Sequence, residues 1–168
     1  MNGQQICDNI INAAMALLMR INPLLNIQST TMKSPMLQYC PTETIHIHHN
    51  DANHFVTTSS LGNQINLYDS ANMTPTSELT SQITAIYSPD DSIPEYFRAK
   101  IQAEQTGSTD CGLFAIAFAT DLAFSNNPST IVHDQANMRT HLQQCLEMKH
   151  LIPFLGGVNK HKSMKSLQ

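Results

Sequence analysis

Four residues of this sequence have the types and the order that thiol chemistry requires: His54, Asp69, Gln105 and Cys111. Cys111 stands in the stretch QTGSTDCGLFAIAFA, where a polar, glycine-punctuated loop runs into an almost wholly apolar segment. A cysteine at that seam opens the helix that the apolar run predicts. Unsatisfied N–H groups at a helix N-terminus amount to roughly half a positive charge and favour thiolate over thiol. Only the thiolate attacks, and a thiol of pKa ~8.5 is mostly protonated at neutral pH. An imidazolium nearby stabilises the thiolate and later protonates a leaving amine, while an aspartate holds the ring in the productive tautomer. Gln105 supplies an uncharged amide for the oxyanion of a tetrahedral intermediate, with the backbone N–H of Cys111 as a second donor. Loss of one such donor typically lowers turnover by ~10²–10³. Gly107 and Gly112 let the chain turn tightly and approach a substrate closely.

The elements that must position these residues follow from periodicity. Ile6, Ile10, Ile11, Ala14, Leu17 and Leu18 fall on one stripe and predict an amphipathic helix ending near Pro23. TIHIHH alternates and reads as a strand, with HFVTTSS and QINLYDS as two more. An antiparallel turn about Leu61-Gly62 opposes His54 to Asp69, Val56 to Leu67 and Thr58 to Ile65. Opposed Cβ atoms lie about 5 Å apart. That largely apolar face is expected to pack on the helix opened by Cys111. Leu79, Ile83 and Ile86 mark a second helix, Phe97, Ala99 and Ile101 another strand, and Leu113 to Ala123 a buried central helix. Asp134 is the expected N-cap of a last amphipathic helix. Helices at both ends with strands between them give an α+β layout.

Composition limits the functions available. The 168 residues are 41% hydrophobic and 13% charged with net charge -4, so no basic stripe marks a nucleic-acid surface. No apolar run approaches the length of a membrane span. Cys7, Cys40, Cys111 and Cys145 include no C-x-x-C pair and, without a signal peptide, read as reduced thiols of an intracellular, soluble monomer. His46, His48, His49 and His54 could chelate zinc or copper, but no second cluster supplies acid or thiolate ligands. His46 and His48 therefore read as a solvated strand face.

The words NHFVTTSS, INLYDS and DCGLFAIAFA resemble the ubiquitin-like-protein-specific cysteine proteases, the SUMO- and NEDD8-processing group related to the adenovirus proteinase. The resemblance runs from Ile6 to Phe154 and keeps the family's His, Asp, Cys order. Gln105 stands six residues before Cys111, as the family's glutamine does before its nucleophile. It implies a papain-like fold, in which a central buried helix carrying the nucleophile packs on a small, mainly antiparallel sheet between flanking helices. It also implies Cys111 as nucleophile, His54 as base, Asp69 as orienting acid and Gln105 as oxyanion donor. The reaction implied is cleavage after the C-terminal Gly-Gly of a ubiquitin-like modifier or its conjugates, without metal or cofactor. Phe55 stands where the family has a tryptophan roofing the substrate tunnel, and the chain contains no Trp. Phe55 and Gly112 are the expected substrate contacts. Residues 1–155 read as the catalytic domain, shortened at its N-terminus relative to the family, and 156–168 as a polar tail. A binding module that lacks catalysis and an acyltransferase using the same triad are the alternatives.

Overall fold

A computed structural model describes residues 3–23, 25–50 and 53–158. Helix α1 spans Asp8–Ile21 and buries Ile11, Ala14, Met15, Leu17 and Leu18. Ile6 lies before the helix, yet it is buried with the same stripe. Strands β1 (Ile45–Asn50) and β2 (His54–Ser59) pair antiparallel, and β3 (Asn66–Tyr68) adds to β2. Helix α2 (Ser77–Tyr87) starts where the Thr76 side chain accepts from the Leu79 N–H, and it crosses back to β4 (Phe97–Arg98), parallel to β3. The strand expected from Phe97, Ala99 and Ile101 is thus only two residues long. Helix α3 spans Cys111–Ala123 and is buried at every position from Cys111 to Leu122. This is the central helix that the largely apolar run predicts.

The sheet has the order β1-β2-β3-β4; β1 and β2 are covered on both faces, and β4 at the edge is exposed. Ile45, Ile47, Phe55 and Tyr68 join the core built on α1 and α3. The Thr57 hydroxyl donates to the Ala115 carbonyl at 2.8 Å and so fixes how far α3 slides along β2. Val56 and Leu67 point the other way and pack on Leu79 and Ile83 of α2. The face expected to meet α3 therefore meets α2.

The β2–β3 register also differs from the sequence reading. Thr57 pairs with Tyr68 and Thr58 with Leu67, a slip of two residues. Gly62 and Asn63 both take positive φ, 72° and 60°, so the turn centres one residue later than Leu61-Gly62. A two-residue slip keeps every side chain on its face. His54 and Asp69 stay on one face and become diagonal neighbours, within reach for long side chains.

His46 and His48 are not solvated. They are 2% and 0% exposed, because α2 lies over the face they share with Val56 and Leu67. His48 holds Gln82 Oε1 at 3.1 Å and Thr58 Oγ1 at 2.7 Å, and its ring meets that of His46 edge-on. Among the described residues, no group of three or more His, Cys, Asp or Glu is placed to hold a metal.

Two further strands were not foreseen. Strand β5 (Ile131–His133) pairs antiparallel with β6 (Gly156–Val158), three residues inside the segment assigned to the tail. A Cβ on Gly156 would stand 2.7 Å from the Val132 carbonyl oxygen, so the close approach needs glycine. The rest of that assigned tail, 159–168, lies outside the described residues. Between these strands α4 spans Gln135–Met148, with Asp134 at the N-cap position; its carboxylate accepts from the Asn137 side chain, not from a backbone N–H. No helix among the described residues is long and apolar enough to cross a membrane.

Burial drives the His48 imidazole down to about 4 and the His46 imidazole well below its ordinary value. A lowered folded pKa leaves stability intact above the ordinary value near 6.5. Below it, the unfolded chain binds the proton first. Stability to urea should fall as pH drops from about 6.5 towards 4, by up to about 1.4 kcal/mol per unit for each histidine. The slope should lessen in His48→Gln. An identical slope in that variant would remove His48 from the account.

Candidate active site

The nucleophile candidate is placed by three elements. Cys111 is the first residue of α3, β2 begins beside it with His54, and the segment before α1 closes over it. Loop residue Asp110 holds the helix start from behind. Its carboxylate accepts from Arg139 Nη2 at 2.5 Å and from Gln135 Nε2 at 2.7 Å, which ties the first turns of α4 to the seam.

His54 Nε2 and Asp69 Oδ1 are 2.6 Å apart. Asp69 follows β3, and its oxygens also accept from the Ala71 N–H at 2.9 Å and the Met73 N–H at 2.8 Å. It is thus both turn former and histidine partner. Arg98 of β4 anchors the same loop through the Asn72 and Met73 carbonyls. With Nε2 on the aspartate, Nδ1 is the nitrogen left for the Cys111 thiol. The Asn50 side chain accepts from the His54 N–H at 3.0 Å and fixes the strand start.

The electrostatics favour separated charges. Burial opposes a charged His54, yet the hydrogen bond to Asp69 and the interaction with Cys111 outweigh it and raise the imidazole to about 9. Burial likewise pushes the Cys111 thiol up. Hydrogen bonds from His54 and the Phe55 N–H, the imidazolium charge and the Gln5 amide together bring it below its ordinary value. For Asp69, burial is outweighed by His54 and two backbone N–H groups, and its carboxyl is held low. Thiolate, imidazolium and carboxylate in one row can deliver a nucleophile and then a proton.

The other expected residues stand differently. Gln105 is joined to the row through Ser70. Its Oε1 accepts from the Ser70 hydroxyl at 2.6 Å, its backbone N–H donates to the Ser70 carbonyl, and Nε2 donates to the Gly107 carbonyl at 2.8 Å. The amide sits near the site without touching sulfur in the contacts described. Phe55 is 2% exposed, and its ring stacks on His49 at 4.3 Å. Gly112 faces inward: a Cβ there would meet Ile6 Cγ1 at 2.7 Å. Glycine at this position serves internal packing beneath the N-terminal segment.

Cys111 itself is only 1% exposed, so the thiol at the seam is covered. The cover is Gln5, which sequence reasoning missed. Its Nε2 lies 3.3 Å from Cys111 Sγ and 2.8 Å from the Asn53 carbonyl, while Asn53 Nδ2 donates to Gln5 Oε1 at 2.7 Å. An interaction spanning 106 positions leaves no periodicity to read. A cleft of about 250 Å³ borders this clasp, with Phe55, His49 and Asp8 among its walls. The larger hollow of about 370 Å³, along Thr80–Ala85 of α2, contains none of the site residues.

Solved structures share this architecture. The chain is similar to the C-terminal Ulp1 protease domain in complex with Smt3, the yeast ortholog of SUMO. The TM-score is 0.59 at 11% identity, over 86% of this chain and 77% of that one. Ulp1 with its catalytic cysteine oxidised to a sulfonic acid matches with TM-score 0.63 at 11% identity, over 88% and 79%. The fold is that of the Ulp1 SUMO protease domain. A further structure, described as the de-sumoylating protease, matches with TM-score 0.51 at 12% identity, over 86% and 81%. No family model and no curated protein sequence matches the chain.

Replacing Asp69 tests the row. In Asp69→Asn the imidazole loses the charge that raises it, so the pH midpoint for iodoacetamide labelling of Cys111 should rise by about 1 unit. Labelling at neutral pH should slow accordingly. Site-resolved mass spectrometry separates Cys111 from Cys7, Cys40 and Cys145, and an unmoved midpoint would show that Asp69 does not tune the thiol.

Proposed function

We propose that this chain is a cysteine peptidase or isopeptidase that cleaves after the C-terminal Gly-Gly of a ubiquitin-like modifier. One observation carries the reading: His54 lies between Asp69 and Cys111 with its pKa raised and the thiol's lowered. The likeness to solved structures of SUMO proteases supports the substrate class.

In this reading Cys111 Sγ attacks the carbonyl carbon of the terminal glycine. The S–C bond forms and the C=O π pair moves to oxygen. The Cys111 N–H and the Gln105 amide stabilise that oxyanion, with Ser70 and the Gly107 carbonyl holding Gln105 in place. When the oxyanion collapses, the C–N bond breaks and the leaving amine takes its proton from the His54 imidazolium. Water, deprotonated by the now neutral His54, hydrolyses the thioester and regenerates the pair. Asp69 keeps the ring oriented throughout. No step requires a metal or cofactor. Phe55 forms a wall of the cleft that receives the glycine tail.

Ubiquitin, SUMO and NEDD8 carrying thiol-reactive C-termini provide the test. A covalent adduct with one of them, absent in Cys111→Ala, is expected. Hydrolysis of the matching substrate should fall by ~10²–10⁴ in His54→Ala. A folded protein that forms no adduct with any of the three would refute the modifier assignment and favour a binding module.

A further inference from the structure

We propose that Gln5 is a catalytic amide of this site, its carboxamide N–H acting on the Cys111 sulfur and then on the oxyanion. The proposal rests on the reading of Cys111 as nucleophile. Gln5 precedes α1, in a segment anchored on its C-terminal side. The Cys7 carbonyl accepts from the Ile10 and Ile11 N–H groups at the start of α1, and Ile6 packs on Gly112 beside the nucleophile.

The orientation of the amide follows from its neighbours. Its nitrogen end faces two acceptors, the Asn53 carbonyl and Cys111 Sγ, and its oxygen end faces one donor, Asn53 Nδ2. The flipped amide would set an oxygen against both acceptors and waste the donor. One hydrogen of Nε2 is thus assigned to Asn53 and the other to sulfur. Gln105 has no such contact among the hydrogen bonds described; its Nε2 is on Gly107.

A donor on the thiolate matches the chemistry of the first step. On attack, negative charge leaves sulfur for the carbonyl oxygen bound to the adjacent carbon, and an N–H already aimed at sulfur needs little movement to follow it. Asn53 acts as a positioning residue. Its φ of 56° presents both its carbonyl and its side chain to Gln5. The same contact covers the thiol, which is 1% exposed, so the amide also excludes water from the resting thiolate.

The experiment compares Gln5→Ala and Gln5→Met with wild type by the pH dependence of Cys111 alkylation. Methionine keeps the length of the side chain and the cover but removes the donor. Loss of a hydrogen bond to a charged group should raise the midpoint by about 1 unit in both variants. Gln5→Glu should raise it further, and Asn53→Gly, which tolerates the positive φ and keeps the backbone carbonyl, should raise it less. A faster plateau with an unmoved midpoint in natively folded Gln5→Ala and Gln5→Met would make Gln5 a cover only and overturn the proposal. Alkylation needs no modifier, so it decides the role of Gln5 at the thiol even if the peptidase reading fails. Where hydrolysis is measurable, kcat in Gln5→Met should fall by ~10²–10³. An unchanged kcat would overturn the oxyanion part.

Discussion

Helix α3 is buried along almost its whole length, from Cys111 to Leu122, and the other elements are arranged to make that possible. A helix without a polar face must be enclosed on every side, so α1, the sheet, β5 and α4 all contribute apolar residues or caps around it. Its few polar groups are met individually. Thr57 reaches the Ala115 carbonyl, Thr120 returns its hydroxyl to the Ile116 carbonyl, and His133 holds Asp121 at 2.8 Å. The other Asp121 oxygen has no hydrogen-bond partner among the described residues. Enclosure of the helix also brings its N-terminus to the rim of the sheet, where the chain leaves solvent and the dipole acts on a thiol.

At that rim the energetic conflict is between burial and charge. Every group of the row is driven towards its neutral form by desolvation, and each is returned to the charged form by the next. Asp69 is held by two backbone N–H groups, His54 by Asp69, and Cys111 by His54, the Phe55 N–H and Gln5. The order matters because each partner is itself fixed by the fold: the Asp69 loop by Arg98, the start of β2 by Asn50, and the start of α3 by Asp110 through Arg139. A reactive pair in a covered site is thereby stable without solvent access.

Much of this was legible in the sequence because it depends on local pattern. The helix of Leu113 to Ala123 follows from a largely apolar run, and the meeting of His54 with Asp69 from strand alternation. That inference survived a register error because the slip was two residues, which preserves the face. The error came from the turn, where Gly62 and Asn63 both take positive φ and shift its centre by one residue. The face expected to meet α3 meets α2 instead, and with it His46 and His48 are buried. A strand covered on both sides can carry histidines that hydrogen-bond inward, as His48 does to Gln82. Strands β5 and β6 are three residues each, too short for periodicity to register. Gln5 and Asn53 act through carboxamides and a backbone carbonyl on residues without a motif. Only the fold brings them to Cys111.

The charge state of His54 is the point on which the account turns. Side-chain nitrogen resonances of His54, followed by NMR as pH is raised, report it without substrate. The account predicts an imidazolium that persists to about 9 and reverts towards the ordinary value in Cys111→Ala and Asp69→Asn. A neutral His54 at pH 7 in the unmodified protein, titrating at the ordinary value and indifferent to both substitutions, would contradict it.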